Sequence, residues 1–203
     1  MEYIIVIIAA YLMGTSNMAL YLSRLKRHDI RDGGSGNLGA SNATLILGWR
    51  AGVLVGIHDI GKSALAAILA VLICPERPYI GALAGAAAVL GHIYPFYLGF
   101  KGGKGFAAFI GAALVLNFNI TLVVLALMAL VTWFTDYIVM GTLTTVVLVP
   151  LGIGLITGDP VAPLILLAVG TVILLNHREN FIRILNGTEI GLKSAIKGEH
   201  KIK

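Results

Sequence analysis

Three short polar stretches in this chain carry residue types suited to holding phosphate and moving a proton. The first is Gly33-Gly34-Ser35-Gly36-Asn37-Leu38-Gly39-Ala40-Ser41-Asn42. Its glycines permit a left-handed backbone that turns successive N–H groups toward one anion, and Ser35, Asn37 and Asn42 add small side-chain donors. Read alone, the same composition also suits a plain turn. The second stretch, Gly99-Phe100-Lys101-Gly102-Gly103-Lys104-Gly105, runs straight into an apolar helix. Free N–H groups, the positive end of a helix dipole and the Lys104 ammonium then converge, which makes this the sharper anion site. The third, Asn176-His177-Arg178-Glu179-Asn180, ends the last apolar span with an imidazole, a guanidinium fork and an amide.

What positions these stretches is a membrane. The chain has 203 residues, 58% hydrophobic and 12% charged, against about a quarter charged in soluble domains. Apolar runs recur along its whole length, so we expect an all-α integral membrane protein with one domain over 1–203 and a basic tail at 191–203. Charge, Pro, Asn and Gly bound seven spans at 3–22, 52–73, 79–98, 105–117, 119–135, 138–157 and 161–176. The first follows Glu2, with no basic leader and no small-residue cleavage site, and reads as a retained helix.

The stretch 105–135 is long for one crossing and short for two, and charge settles the count. Arg24, Lys26, Arg27, Arg31 and Arg50 lie in 23–50, Lys101 and Lys104 in 99–105, and six more Lys or Arg follow 177. Only Arg77 falls in an opposite loop. The positive-inside rule places those three segments in the cytoplasm only if 105–135 crosses twice, turning near Asn117-Phe118-Asn119. The N-terminus is then outside, the C-terminus cytoplasmic, and the three polar stretches meet at one membrane surface.

Within the second span, His58, Asp59 and Lys62 stand at helical spacing. Charge inside a membrane is costly and usually paired, so an Asp59–Lys62 pair is expected to prop the site. His92 precedes Pro95 near the cytoplasmic end of the third span, where it either bonds a carbonyl or serves function. The His residues have no zinc-type spacing, and no metal is expected. Gly34 to Gly39 matches a dinucleotide pattern and Gly56 to Ser63 a nucleotide pattern, but neither follows a buried strand. Gly52 with Gly56, and Gly81 with Gly85, are small-residue faces for helix packing.

The ordered set resembles the bacterial membrane acyltransferases that use acyl phosphate to acylate glycerol 3-phosphate. The blocks that match are Gly14-Thr15-Ser16, the run Gly34 to Asn42 where the family has GSGNxGATN, Asp59-x-x-Lys62, Gly91-His92-x-x-Pro95, Gly99 to Gly105, His177-Arg178-Glu179-Asn180 and Gly187-Thr188-Glu189. The resemblance spans nearly the whole chain. It implies a seven-helix enzyme of the bacterial cytoplasmic membrane whose motifs face the cytoplasm, forming lysophosphatidic acid in the committed step of phospholipid synthesis. No cofactor and no nucleic acid are implied. Membrane lipid surrounds the enzyme, and the basic tail is a candidate dock for the soluble enzyme that makes acyl phosphate. Members commonly carry an Arg where this chain has Leu45, and a Gly where it has Ser63.

Two phosphorylated substrates, each near two negative charges, require cations and N–H groups. Lys104 with Gly102, Gly103 and Gly105, and Ser35 with the Gly36–Gly39 turn, are assigned to the phosphates, and Arg178 to either one. Asn37, Asn42 and Asn180 would orient hydroxyls and the developing oxyanion. Asp59, Lys62, His92 and Glu179 are assigned to support. The hydroxyl proton goes to His177 or to a substrate phosphate, and both acceptors stand open. The acyl-thioester acyltransferases need a His-x4-Asp pair, which no His here has. A phosphate carrier would place such groups near the midplane within inverted repeats, and none is visible.

Overall fold

The computed structural model describes residues 1–197. The basic tail expected at 191–203 therefore lies partly outside the described residues. Eleven α-helices are described: α1 (Glu2–Thr15), α2 (Met18–Lys26), α3 (Ala40–Leu47), α4 (Trp49–Ile73), α5 (Ile80–Ile93), α6 (Phe106–Leu116), α7 (Phe118–Thr135), α8 (Ile138–Thr157), α9 (Val161–Asn176), α10 (Arg178–Leu185) and α11 (Leu192–Lys197). They divide into two compact units, Met1–Leu116 and the chain from Asn117 onward.

Among the described residues, five apolar segments are long enough to cross a membrane: Glu2–Lys26, Trp49–Ile73, Ile80–Leu98, Phe118–Thr135 and Ile138–Thr157. Helices α9 and α10, bent by 50° at their junction, make a sixth if taken as one span. Helix α6 is apolar but has 11 residues, or about 16 Å at the helical rise, half of the roughly 30 Å of hydrocarbon. The long run 105–135 does break where Asn117 stands. Its side chain caps α7 by accepting from Ile120 N at 3.0 Å, the usual way to satisfy a first-turn amide.

The packing is that of a helix bundle in lipid. Helix α4 turns Val53, Leu54, Ile57, Leu65, Ile68 and Leu72 outward and buries Ala51, Gly52, Val55, Ala66, Ala67 and Ala70. Large apolar side chains outside with small ones inside suit a solvent of hydrocarbon, where close backbone approach drives association. In the first unit α1 packs on α5, and α4 on α5 and α6. In the second, α8 packs on α7 and α9. The Gly81–Gly85 face meets Val71, Ala67 and Ala112, as a helix-packing stripe should. The Gly52–Gly56 face instead receives the short helix α3, with Thr44 and the Ala40 carbonyl against Gly52.

One expected span differs in form. The segment 3–22 is not continuous but breaks at Ser16-Asn17, where Asn17 Oδ1 accepts from Leu20 N at 2.9 Å and starts α2 afresh. An amide that caps its own chain competes with helix continuation.

Where α1 crosses α5, a Cβ on Gly91 would run into the Tyr11 carbonyl and one on Gly14 into the Ala88 carbonyl. Gly91→Ala is expected to cost about 1–3 kcal/mol, because backbone rather than a flexible side chain must yield. Gly61, with nothing near its Cβ position, serves as the control. Thermal unfolding in detergent should show a lower Tm for Gly91→Ala and an unchanged or slightly raised one for Gly61→Ala.

Candidate active site

The first polar block folds into a loop that spends most of its donors on itself. Asp29 caps a short 3-10 turn at Ile30–Asp32 and takes the Arg31 guanidinium at 2.6 Å. The hydrogen bond from Arg31 holds the Asp29 carboxyl down at about 2, so the pair stays ionised at neutral pH. Gly34 and Gly36 sit at φ 60° and 66°, a region that costs other residues about 1 kcal/mol or more. Gly36 N bonds Gly33 O at 3.1 Å. Ser35 N bonds Asn42 Oδ1, and Gly39 N bonds Asn37 Oδ1, each at 2.9 Å.

These contacts revise the expected division of labour. Asn42 is fully buried, and its Nδ2 donates to Ile30 O at 2.7 Å and Asn37 O at 3.0 Å. It is the peg that holds the loop, and its amide is occupied with backbone rather than with a substrate hydroxyl. The amides of Gly36 and Gly39 are likewise engaged within the loop. Ser35 is placed differently. Its Oγ accepts from Asn37 Nδ2 at 2.7 Å, which directs its own O–H away from Asn37, and the residue is exposed.

The second block folds back on the end of α5. Gly102 N donates to Ile93 O at 3.0 Å and Gly103 N to His92 O at 3.2 Å, so these two amides satisfy the last carbonyls of α5. Beyond them the chain enters the first turn of α6, whose leading N–H groups have no intrahelical acceptor. Gly103 is required sterically, because a Cβ there would fall on the His92 ring at Nε2. Gly102 O accepts from Leu38 N at 3.4 Å, and Leu38 O accepts from Asn17 Nδ2 at 3.4 Å. Leu38, fully buried, thus joins the first block to the second and both to the break between α1 and α2.

Beneath this joint lies a buried polar network. Lys62 Nζ meets Asp59 Oδ1 at 2.9 Å, Ser16 O at 2.6 Å and His92 Nδ1 at 2.9 Å. The expected Asp59–Lys62 pair is present, and it includes His92, with His58 Nδ1 3.4 Å from the same carboxylate oxygen. Three acceptors match the three hydrogens of an ammonium. With Nδ1 accepting from Lys62, His92 carries its proton on Nε2, the edge that faces Gly103. Two carbonyls at the helix break find side-chain donors, Ser16 O from Lys62 and Thr15 O from Tyr97 O–H, each at 2.6 Å. Neither Asn17 nor Tyr97 was singled out from sequence. An amide immediately after the Gly14-Thr15-Ser16 block was the available signal.

In the second unit, His177 closes α9, its N–H bonding Ile173 O at 3.1 Å and its ring Nδ1 lying 2.8 Å from the same oxygen. A carbonyl only accepts, so Nδ1 carries a proton in this contact. Arg178 and Glu179 open α10 on its exposed side. The support assigned to Glu179 is supplied instead by Glu189, which accepts from Asn180 Nδ2 and from Arg183 Nε, each at 2.6 Å. Leu45 is half-buried on α3, and the guanidinium of Arg50 lies over Trp49, 5.5 Å from its ring centre. Ser63 is fully buried with no hydrogen-bond partner for its Oγ. No group of three metal-ligating side chains occurs among the described residues.

Removing Lys62 alone strands the Asp59 carboxylate and the Ser16 carbonyl. Lys62→Met should therefore lower stability by about 3–5 kcal/mol, the usual cost of breaking a buried pair. Asp59→Asn together with Lys62→Met should recover part of the loss in the same unfolding measurement.

The glycerol-3-phosphate acyltransferase family model matches residues 4–187. A glycerol-3-phosphate acyltransferase of Syntrophotalea carbinolica is 36% identical over 195 residues, covering 95% of this chain and 99% of that one. One from Lactiplantibacillus plantarum is 36% identical, covering 93% and 91%. Two crystal structures of PlsY (YgiH), an integral membrane glycerol 3-phosphate acyltransferase, superpose on it. The glycerol 3-phosphate form has a TM-score of 0.90 at 31% identity, covering 99% of this chain and 100% of that one. The lysophosphatidic acid form has 0.82 at 32%, covering 97% and 99%. With matches of this extent beside a bundle built for lipid, the chain belongs to the glycerol-3-phosphate acyltransferase family of membrane enzymes.

Proposed function

We propose that this acyltransferase moves a fatty acyl group from acyl phosphate to a hydroxyl of glycerol 3-phosphate, releasing inorganic phosphate and lysophosphatidic acid. The reading places the enzyme in the bacterial cytoplasmic membrane with seven crossings, its N-terminus outside and its polar motifs facing the cytoplasm. The reaction would be the committed step of phospholipid synthesis. Acyl phosphate comes from a separate soluble enzyme, for which the basic tail is the proposed dock. The observation that carries the proposal is the Leu38–Gly102 hydrogen bond. It joins the loop bearing Ser35 to the turn bearing Lys104, so two groups suited to phosphate act on one locality of the first unit.

The donor follows from chemistry. A mixed carboxylic–phosphoric anhydride is already activated, and phosphate leaves without prior protonation. No covalent acyl-enzyme is needed. The substrate hydroxyl attacks the carbonyl carbon, the tetrahedral oxyanion collapses, and the carbon–oxygen bond to phosphate breaks. Ser35 O–H, Lys104 and Arg178 hold phosphate oxygens, and Asn180 steadies the oxyanion. His177 is the proposed acceptor of the hydroxyl proton. The substrate phosphate is the alternative acceptor, its second ionisation lying near 6.

The test is purified protein with radiolabelled glycerol 3-phosphate and palmitoyl phosphate, followed by extraction of lipid product. Wild type should form lysophosphatidic acid. His177→Ala should lower kcat by about 10²–10⁴-fold, whereas near-normal turnover with unchanged KM would assign the proton to the substrate phosphate. Lys104→Gln should weaken one phosphorylated substrate by roughly ten- to a hundredfold, the worth of a charged hydrogen bond. Labelled ligand that binds while no product forms would favour a phosphate carrier.

A further inference from the structure

After α10 the chain reverses and is fastened at two places in the second unit. Thr188 N and Glu189 N both donate to Arg183 O, at 2.8 and 3.2 Å, which returns Glu189 to the side of α10. There its two carboxylate oxygens hold Asn180 and Arg183. Three residues later the chain reaches the corner between α7 and α8. Leu192 N donates to Asp136 O at 2.7 Å and Lys193 N to Asp136 Oδ1 at 2.8 Å. The Lys193 ammonium lies 5.6 Å from the centre of the Trp133 ring.

This second fastening has the marks of a built contact. Asp136 ends α7 in the left-handed region at φ 69°, its own N–H bonded to Thr132 O at 2.9 Å. Asp and Asn tolerate that backbone better than other residues with a Cβ. A Cβ on Gly191 would run into the Asp136 carboxylate, so the strap approaches as closely as it does only through glycine. The carboxylate also takes an amide in the first turn of α11, a cap supplied from another element.

We propose that Asp136 is a positioning residue for acyl transfer, acting through the strap of residues 186–193 to hold Glu189 against Asn180. One Nδ2 hydrogen of Asn180 is committed to Glu189, and that bond constrains how the amide is turned. Three residues separate Glu189 from Lys193, so slack at Asp136 passes to Glu189 with little to absorb it. A misplacement near 1 Å is enough to cost about 10²-fold in rate. The inference rests on Asn180 acting on the substrates, as proposed above.

Asp136→Gly removes the carboxylate and keeps the left-handed backbone unstrained. Hydrogen exchange followed by mass spectrometry should show faster exchange at 188–193. The acyl-transfer assay should show kcat reduced about tenfold, with the KM for glycerol 3-phosphate within about twofold. Asp136→Asn retains an oxygen acceptor and should restore most of kcat. Lys193→Pro removes the donor instead, should give the same loss, and should add nothing to Asp136→Gly; it carries the comparison if the Gly variant does not fold. A freed strap with unchanged kcat, additive losses, or a rise confined to KM would overturn the proposal. Asn180→Ala keeps the two readings apart. Full turnover in that variant removes Asn180 from the chemistry, whatever the exchange shows at the strap.

Discussion

The first unit depends on one ammonium. Breaking α1 from α2 leaves carbonyls without helical partners inside an apolar bundle, where an unpaired polar group is costly. Lys62 donates to the Ser16 carbonyl and Tyr97 to that of Thr15, so the break is tolerated. Lys62 is itself tolerated because Asp59, one helical turn earlier, compensates its charge. Everything nearer the surface follows. The break lets Asn17 cap α2 and reach Leu38 O; Leu38 then bonds Gly102, and the two phosphate-suited blocks are held in register.

His92 gives the network its chemical polarity. A histidine beside a carboxylate would ordinarily donate to it. Here Lys62 Nζ lies closer to Nδ1, at 2.9 Å against 3.3 Å for the Asp59 oxygen. With the ammonium donating, Nδ1 is an acceptor and the N–H lies on Nε2. That edge abuts Gly103, so the buried charge pair and the backbone of the second block are one packed structure. A side chain at 103 and a loss of charge at 62 would disturb the same turn from opposite sides.

The membrane elements were legible because hydrocarbon demands long apolar runs with marked ends. The expected spans 52–73, 119–135, 138–157 and 161–176 fall within a few residues of α4, α7, α8 and α9. The break at Ser16-Asn17 was not legible, since hydropathy averages over a single amide. The polar blocks were recognisable by type, and they fold as a loop bearing Ser35 and a turn bearing Lys104. Their donors were harder to apportion. A glycine-rich turn offers its N–H groups first to the nearest carbonyl, and Gly36, Gly102 and Gly103 are all engaged that way. Asn42 reads as a ligand-binding amide in sequence and becomes a peg because three backbone groups surround it. The clasp by Glu189 depends on a chain reversal that no local pattern announces.

Three carboxylates near the polar motifs are each compensated by a cation. Asp29 is matched by Arg31, Asp59 by Lys62, and Glu189 by Arg183. Each of these carboxylates also bonds an amide or a second side chain, so its negative charge is spent on organising a loop, a helix break or the last motif. The same pairing withdraws Arg31, Lys62 and Arg183 from the field a phosphate would feel. What remains is the surplus, fifteen Lys and Arg against ten Asp and Glu over the whole chain. Attraction of substrate is then the task of residues outside these pairs, and a cation added within a pair would strengthen the scaffold more than the binding.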